Sequence, residues 1–137
     1  MGSPSQVKLL LDTHIWVWSV AEPDRLARKA RKAIASPSSE IWLSPISVWE
    51  FFLLARRGRL RLKSSPERWV ADAFEAASLR DAVLTRDVAI ESRDLPLSLA
   101  DPADRFIAAT ARVYGLTLVT ADERLMNVGG LEVLPSR

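Results

Sequence analysis

Two strand-length apolar runs, residues 7–11 and 116–120, lie near opposite ends of the chain, and each is followed closely by an aspartate, Asp12 and Asp122. Short, largely apolar runs of this length that lead into helix-like segments predict parallel strands. The expected fold class is therefore α/β, with a short central, mostly parallel sheet flanked by helices. In open α/β sheets ligands bind beyond the carboxyl ends of the strands, so an acid at such an end is well placed for chemistry.

At 137 residues and 48% hydrophobic content, the chain has the size of one domain with a real core. We assign residues 7–137 to that single domain and leave residues 1–6, which begin MGSP, outside it as a flexible or expression-derived N-terminus. A net charge of +2 with a pI near 9.4 suits an anionic partner without requiring one. With no Cys and one His, a disulfide framework, a thiolate metal site and a histidine-rich zinc site are all excluded, so any metal must be held by oxygen. No apolar run approaches the roughly 18 residues of a membrane span, and residues 1–6 lack the basic and apolar parts of a signal peptide. A soluble, cytoplasmic protein without a membrane partner is expected.

Between the two runs, helical segments are expected over residues 13–20, 25–35, 45–57, 66–78, 87–92 and 102–114, with a helical turn at 122–126. Ser44 with Pro45, Ser65 with Pro66 and Asp101 with Pro102 are N-cap and first-turn pairs, and Gly58 ends the second of the long helices. Further strands are expected at 41–43, 82–85 and 132–134, with an irregular link at 95–100. Trp69, Val70, Ala73, Phe74 and Ala77 make one apolar helix face.

The helix from Pro45 is apolar almost all round, and its only acid is Glu50. A carboxylate in such surroundings needs a partner or a metal, unless it sits on the exposed rim. Asp104 is followed at spacings of three, four and seven by Ile107, Ala108 and Ala111, which puts it on the buried face of its helix. Taken singly, Asp101, which precedes Pro102, is best explained as an N-cap, while Asp12 and Asp122 have an alternative reading as N-caps and Asp104 as a first-turn acid favoured by the helix dipole. Two acids at strand ends and two on helix faces can instead converge, and their repulsion then opposes folding unless a cation is bound. Carboxylate and water ligands favour Mg²⁺ or Mn²⁺.

The segments LLLDTH (9–14), SVWE (47–50), DPADRFIAATA (101–111) and LTLVTADERL (116–125) closely resemble, in this order, the PIN-domain ribonucleases of VapC toxin type. The similarity spans residues 7–134. The resemblance implies a PIN-like domain in which Asp12, Glu50, Asp104 and Asp122 form the catalytic, metal-binding cluster. It also implies supporting hydroxyls at Thr13 and Thr120, and an auxiliary metal ligand at Asp101. The implied activity is that of an Mg²⁺-dependent endoribonuclease toxin, hydrolysing RNA phosphodiesters with a metal-activated water and leaving 5′-phosphate and 3′-hydroxyl ends. The implied partners are a cognate antitoxin whose tail blocks the acidic site and a second copy of the chain in a homodimer.

Arg56, Arg57, Arg59, Arg61 and Lys63 are candidates for RNA contact, or else a solvated helix end. His14 has no second histidine with which to form an acid–base pair, so it is read as structural or as a contact to substrate. The five tryptophans exceed what one modest core requires, and some are expected at interfaces. Rival readings are a PIN-fold protein that binds RNA or a partner without cutting, a DNA-directed 5′-nuclease relative, and a receiver-type domain. The receiver reading fails to find its lysine near Thr120, Ala121 and Asp122.

Overall fold

Burial on both faces explains why the first run ends in three consecutive leucines. In the computed structural model, which describes residues 7–96, 99 and 101–136, β1 (Val7–Leu11) alternates its side chains across the sheet. Leu9 and Leu11 join a core with Ile15, Trp16, Phe51 and Val119, while Leu10 joins another with Val88, Ile107 and Leu118. All three leucines are buried, and each contributes roughly 1.5–3 kcal/mol on burial.

The other strands are β2 (Ser39–Leu43), β3 (Leu79–Asp81), β4 (Thr117–Thr120) and β5 (Val133–Pro135), in a sheet ordered β3-β2-β1-β4-β5. All four pairings are parallel, with Leu9 facing Ile41 on one side and Thr117 on the other. The chain builds outward from β1 to β3 and then crosses back to place β4 on the far side of β1. The strand order therefore reverses between β1 and β4, the crevice where α/β sheets bind ligands.

Among the described residues six α-helices cover the sheet: α1 (Thr13–Ala21), α2 (Arg28–Ala35), α3 (Pro45–Arg56), α4 (Pro66–Ala76), α5 (Arg86–Glu91) and α6 (Pro102–Tyr114). α1 starts directly after β1, α3 directly after β2, and α6 precedes β4. Because α6 must run back to feed a parallel strand, its N-terminus lies at the carboxyl edge of the sheet. Gly115 closes it at φ +68°, a left-handed cap that a residue with a Cβ adopts only with strain. The segment before α6 is fixed by Arg105, whose guanidinium donates to the carbonyls of Ser92, Leu95, Pro96 and Leu99 at 2.7–3.2 Å.

Three local expectations need correction. The third strand of the sheet lies at Leu79–Asp81 and not at 82–85: Val83 and Leu84 are exposed, and the Thr85 side chain caps α5 by accepting from the Val88 amide. The helix expected from residue 25 begins at Arg28, after a 3-10 turn at Pro23–Arg25 and extended backbone at Leu26, whose side chain is buried. Ala77 leaves the apolar face of α4, because the helix ends before it and it is exposed. The link expected at 95–100 lies partly outside the described residues, as do residues 1–6. Among the described residues no helix is long and apolar enough to cross a membrane.

Candidate active site

A cavity of about 590 Å³ opens at the β1/β4 crevice, and Asp12, Glu50, Asp101, Asp104 and Asp122 all line it. Each arrives by a different route. Asp12 is the N-cap of α1 and Asp101 that of α6, while Asp122 starts a 3-10 turn at Glu123–Leu125; each accepts from a nearby backbone amide. The capping role anticipated for these aspartates is thus present, and it coexists with a carboxylate that faces the cavity. Glu50 comes from the second turn of α3, and Asp104 from the first turn of α6. Oxygens of Glu50, Asp101 and Asp104 lie within 4.8 Å of one another.

Hydroxyl groups fix one side of the cavity. Thr13, fully buried, donates to Glu50 at 2.5 Å, and its oxygen lies 3.1 Å from that of the buried Ser47. Thr120, also fully buried, donates to Asp12 at 2.7 Å while accepting from the Asp122 amide at 3.0 Å. The opposite side is held by charge. Arg124 reaches Asp122 through Nε at 3.0 and 3.2 Å and through Nη2 at 2.6 Å, and the same Nη2 reaches Asp104 at 2.9 Å.

These surroundings push the acids apart in strength. Burial raises the Asp12 carboxyl above its usual range, against the bonds from Thr120 and Thr13. Burial also raises Glu50; the Thr13 bond opposes this, and the charges of Asp12 and Asp101 add to it. Asp104 is pushed up to about 7 by burial and by the negative charges of Asp12, Asp101 and Glu50. Asp122 moves the other way, because the Arg124 side chain holds it below the ordinary carboxylate range.

The sequence pattern described as PIN domain matches residues 9–131. The chain belongs to the PIN-domain family. It is 39% identical over 118 residues to Ribonuclease VapC22 of Mycobacterium tuberculosis (strain ATCC 25618 / H37Rv), a match covering 85% of this chain and 88% of that one. Among solved structures it is similar to VapBC2 from Rickettsia felis bound to a promoter DNA fragment, with a TM-score of 0.71 at 16% identity over 96% of this chain and 100% of that one. It is also similar to DNA-bound VapBC from Salmonella typhimurium, with a TM-score of 0.64 at 23% identity over 95% and 98% of the two chains. At such identities the likeness is one of fold.

The donor set of this PIN domain fits a hard divalent cation. Its cavity offers carboxylate oxygens from five acids, no thiolate and a single imidazole, that of His14. The hydroxyl of Ser136, 1% exposed and lining the same cavity, has no protein partner among the described residues, which leaves it available to a water or a ligand.

A second groove of about 960 Å³ shares His14, Trp18 and Arg25 with the acidic cavity. Arg59, Arg61 and Lys63 line it, whereas Arg56 and Arg57, on the last turn and cap of α3, are exposed but do not. The basic run is therefore divided by the fold. The tryptophans divide too. Trp16 and Trp69 pack with Phe51 in an aromatic core, at ring distances of 4.5–5.8 Å, while Trp49 is 56% exposed and Trp18 lines both hollows. Sequence reasoning assigned no role to Arg124, Ser47 or Ser136. For Arg124 the available signal was a cation two residues after a strand-end acid, for Ser47 its place in the SVWE segment, and for Ser136 there was none.

Proposed function

We propose that this PIN domain is an endoribonuclease toxin that uses Mg²⁺, or Mn²⁺ in its place, and is restrained in the cytoplasm by a cognate antitoxin. The observation that carries the reading is the convergence of five carboxylates from four separate segments in one cavity at the strand-order reversal. The similarity to Ribonuclease VapC22 supports RNA as substrate, and the VapBC complexes among its fold relatives support an antitoxin partner.

In this reading Asp12, Glu50, Asp104 and Asp122 hold the metal, with Asp101 as an auxiliary ligand. Bound there, a divalent cation supplies the Lewis acidity that activates water and offsets phosphate charge. Thr13 and Thr120 orient the Glu50 and Asp12 carboxylates through the hydrogen bonds described above. Arg59, Arg61 and Lys63 bind backbone phosphates along the groove that meets the acidic cavity at Trp18. His14, exposed beside the site, contacts substrate and does not transfer protons. The chain pairs with a second copy of itself, and the exposed Trp49 on α3 supplies apolar surface for that contact.

The test is incubation of antitoxin-free protein with structured RNA and with DNA, in Mg²⁺, Mn²⁺ or EDTA, beside Asp12→Asn. RNA cleavage that requires metal and Asp12 is the expected result. Equal cleavage by wild type and variant would reject the site, cleavage of DNA alone would point to a 5′-nuclease relative, and RNA binding without cleavage would point to a scaffold.

A further inference from the structure

Asp104 is claimed twice. One oxygen of its carboxylate clusters with oxygens of Glu50 and Asp101, and Oδ2 accepts from Nη2 of Arg124 at 2.9 Å. The same Nη2 donates to Asp122 at 2.6 Å, so one guanidinium edge ties together acids from α6 and from the turn after β4. Of the other cations lining the cavity, Arg25 lies over the Trp18 ring at 4.5 Å and within 3.6 Å of Glu22, away from these two acids.

We propose that Arg124 is the resident counter-ion of the metal-free site, and that a divalent cation must displace it from Asp104 in order to bind. The inference rests on the divalent-metal reading and adds a determinant of affinity to it. Arg124 carries one positive charge against five carboxylates lining the cavity, so it relieves their repulsion only in part and leaves a divalent cation favoured. Its side chain is 49% exposed, so it can leave Asp104 for water without stranding a buried charge. Its Nε and Nη2 also hold Asp122 at 2.6–3.2 Å, so the guanidinium displaced from Asp104 stays at the cavity mouth and continues to oppose the incoming cation. An arginine presents a rigid, permanently charged fork, so the opposition does not fade at alkaline pH.

The experiment is an Mn²⁺ titration of the full chain by calorimetry, with melting curves in EDTA and in saturating Mn²⁺, for wild type, R124Q, R124K, D104N and R124Q/D104N. R124Q should bind Mn²⁺ roughly three- to tenfold more tightly. It should melt below wild type in EDTA and lose that deficit in saturating Mn²⁺. R124K, which keeps the charge without the fork, should fall between the two, and the gain from R124Q should shrink in the D104N background. Melting curves that remain cooperative establish that R124Q is folded. Unchanged or weaker Mn²⁺ binding by folded R124Q, with wild type binding normally, would overturn this proposal alone and make Arg124 an orienting group for Asp122. Failure of wild type and R124Q alike to bind Mn²⁺ would overturn the metal reading together with it.

Discussion

Asp12 and Glu50, on the β1 and α3 side of the cavity, are held by the neutral hydroxyls of Thr120 and Thr13, whereas Asp104 and Asp122, on the α6 and β4 side, share the guanidinium of Arg124. A hydroxyl fixes a carboxylate in direction but cannot cancel its charge. A guanidinium cancels charge but, half exposed on a flexible stem, fixes position less firmly. The first side therefore sets the geometry of the site, and the second relieves its repulsion. Asp12, raised by burial, and Asp122, lowered by Arg124, follow this division, while Asp104, which receives a single bond from Arg124, is still raised by burial and its acidic neighbours.

The most severe way to break the fixed side is Asp12→Asn. Asparagine's one side-chain oxygen keeps the cap bond from the Thr13 amide, while its Nδ2 can only donate where Oδ2 accepted from Thr120, so the change removes the charge and one hydroxyl bond and keeps the helix cap. Ribonuclease activity should fall by about 10³-fold or more, roughly 4 kcal/mol of barrier, with an unaltered circular dichroism spectrum. Thr13→Val keeps side-chain shape but takes away the hydroxyl that meets Glu50; urea unfolding should register a loss of about 1–3 kcal/mol. An unchanged midpoint would mean that Glu50 is positioned by something other than Thr13.

The charged side is best probed by pH in EDTA. Asp104 titrates at about 7 in the fold, above its ordinary 3.8, so between these values the native state holds a proton that the unfolded chain has lost. Its contribution to metal-free stability is complete below the ordinary value and disappears as pH rises through about 7. Asp12 and Glu50 are raised and carry the same sign; Asp122 is lowered, so its contribution is present above the ordinary value and lost on acidification. Asp104→Asn should flatten the decline and stabilise the metal-free protein at pH 8 by about 1–2 kcal/mol once solvent screening is allowed for. A large loss of stability at pH 8 would make Asp104 a first-turn helix acid and not a frustrated charge.

The smallest expected effect lies outside the acidic cavity, in the neighbouring groove. If Arg59 and Arg61 contact phosphates, reversing both charges should reduce the log–log salt slope of RNA binding by about 1.4, at roughly 0.7 per contact on single strands. Reversing Arg56 and Arg57, which do not line the groove, should leave the slope unchanged.

This division between fixed and compensated acids also separates what the sequence made legible from what it did not. Asp12 could be found because a strand end follows from a local apolar run, and Asp104 because helical spacing from Ile107, Ala108 and Ala111 fixes its face. Glu50 stood out as the only acid on an apolar helix. Arg124 had no such signature, since its pairing with Asp104 spans 20 residues and depends on α6 running back along β4. The bond from Thr13 to Glu50 spans 37 residues and depends likewise on α1 and α3 meeting. The misplaced third strand has a related cause. Apolar content favoured 82–85, but register with Ile41–Leu43 selected Leu79–Asp81, and the Val83 carbonyl accepts from the Tyr114 hydroxyl instead of from a neighbouring strand.

Anomalous scattering from a crystal of the antitoxin-free protein soaked in Mn²⁺ tests the convergence of these acids most directly. A peak within coordinating distance of Asp104 and Glu50, absent from Asp104→Asn under the same soak, is the predicted result. A cavity without a peak at saturating Mn²⁺, or a peak held by residues away from it, would contradict the account.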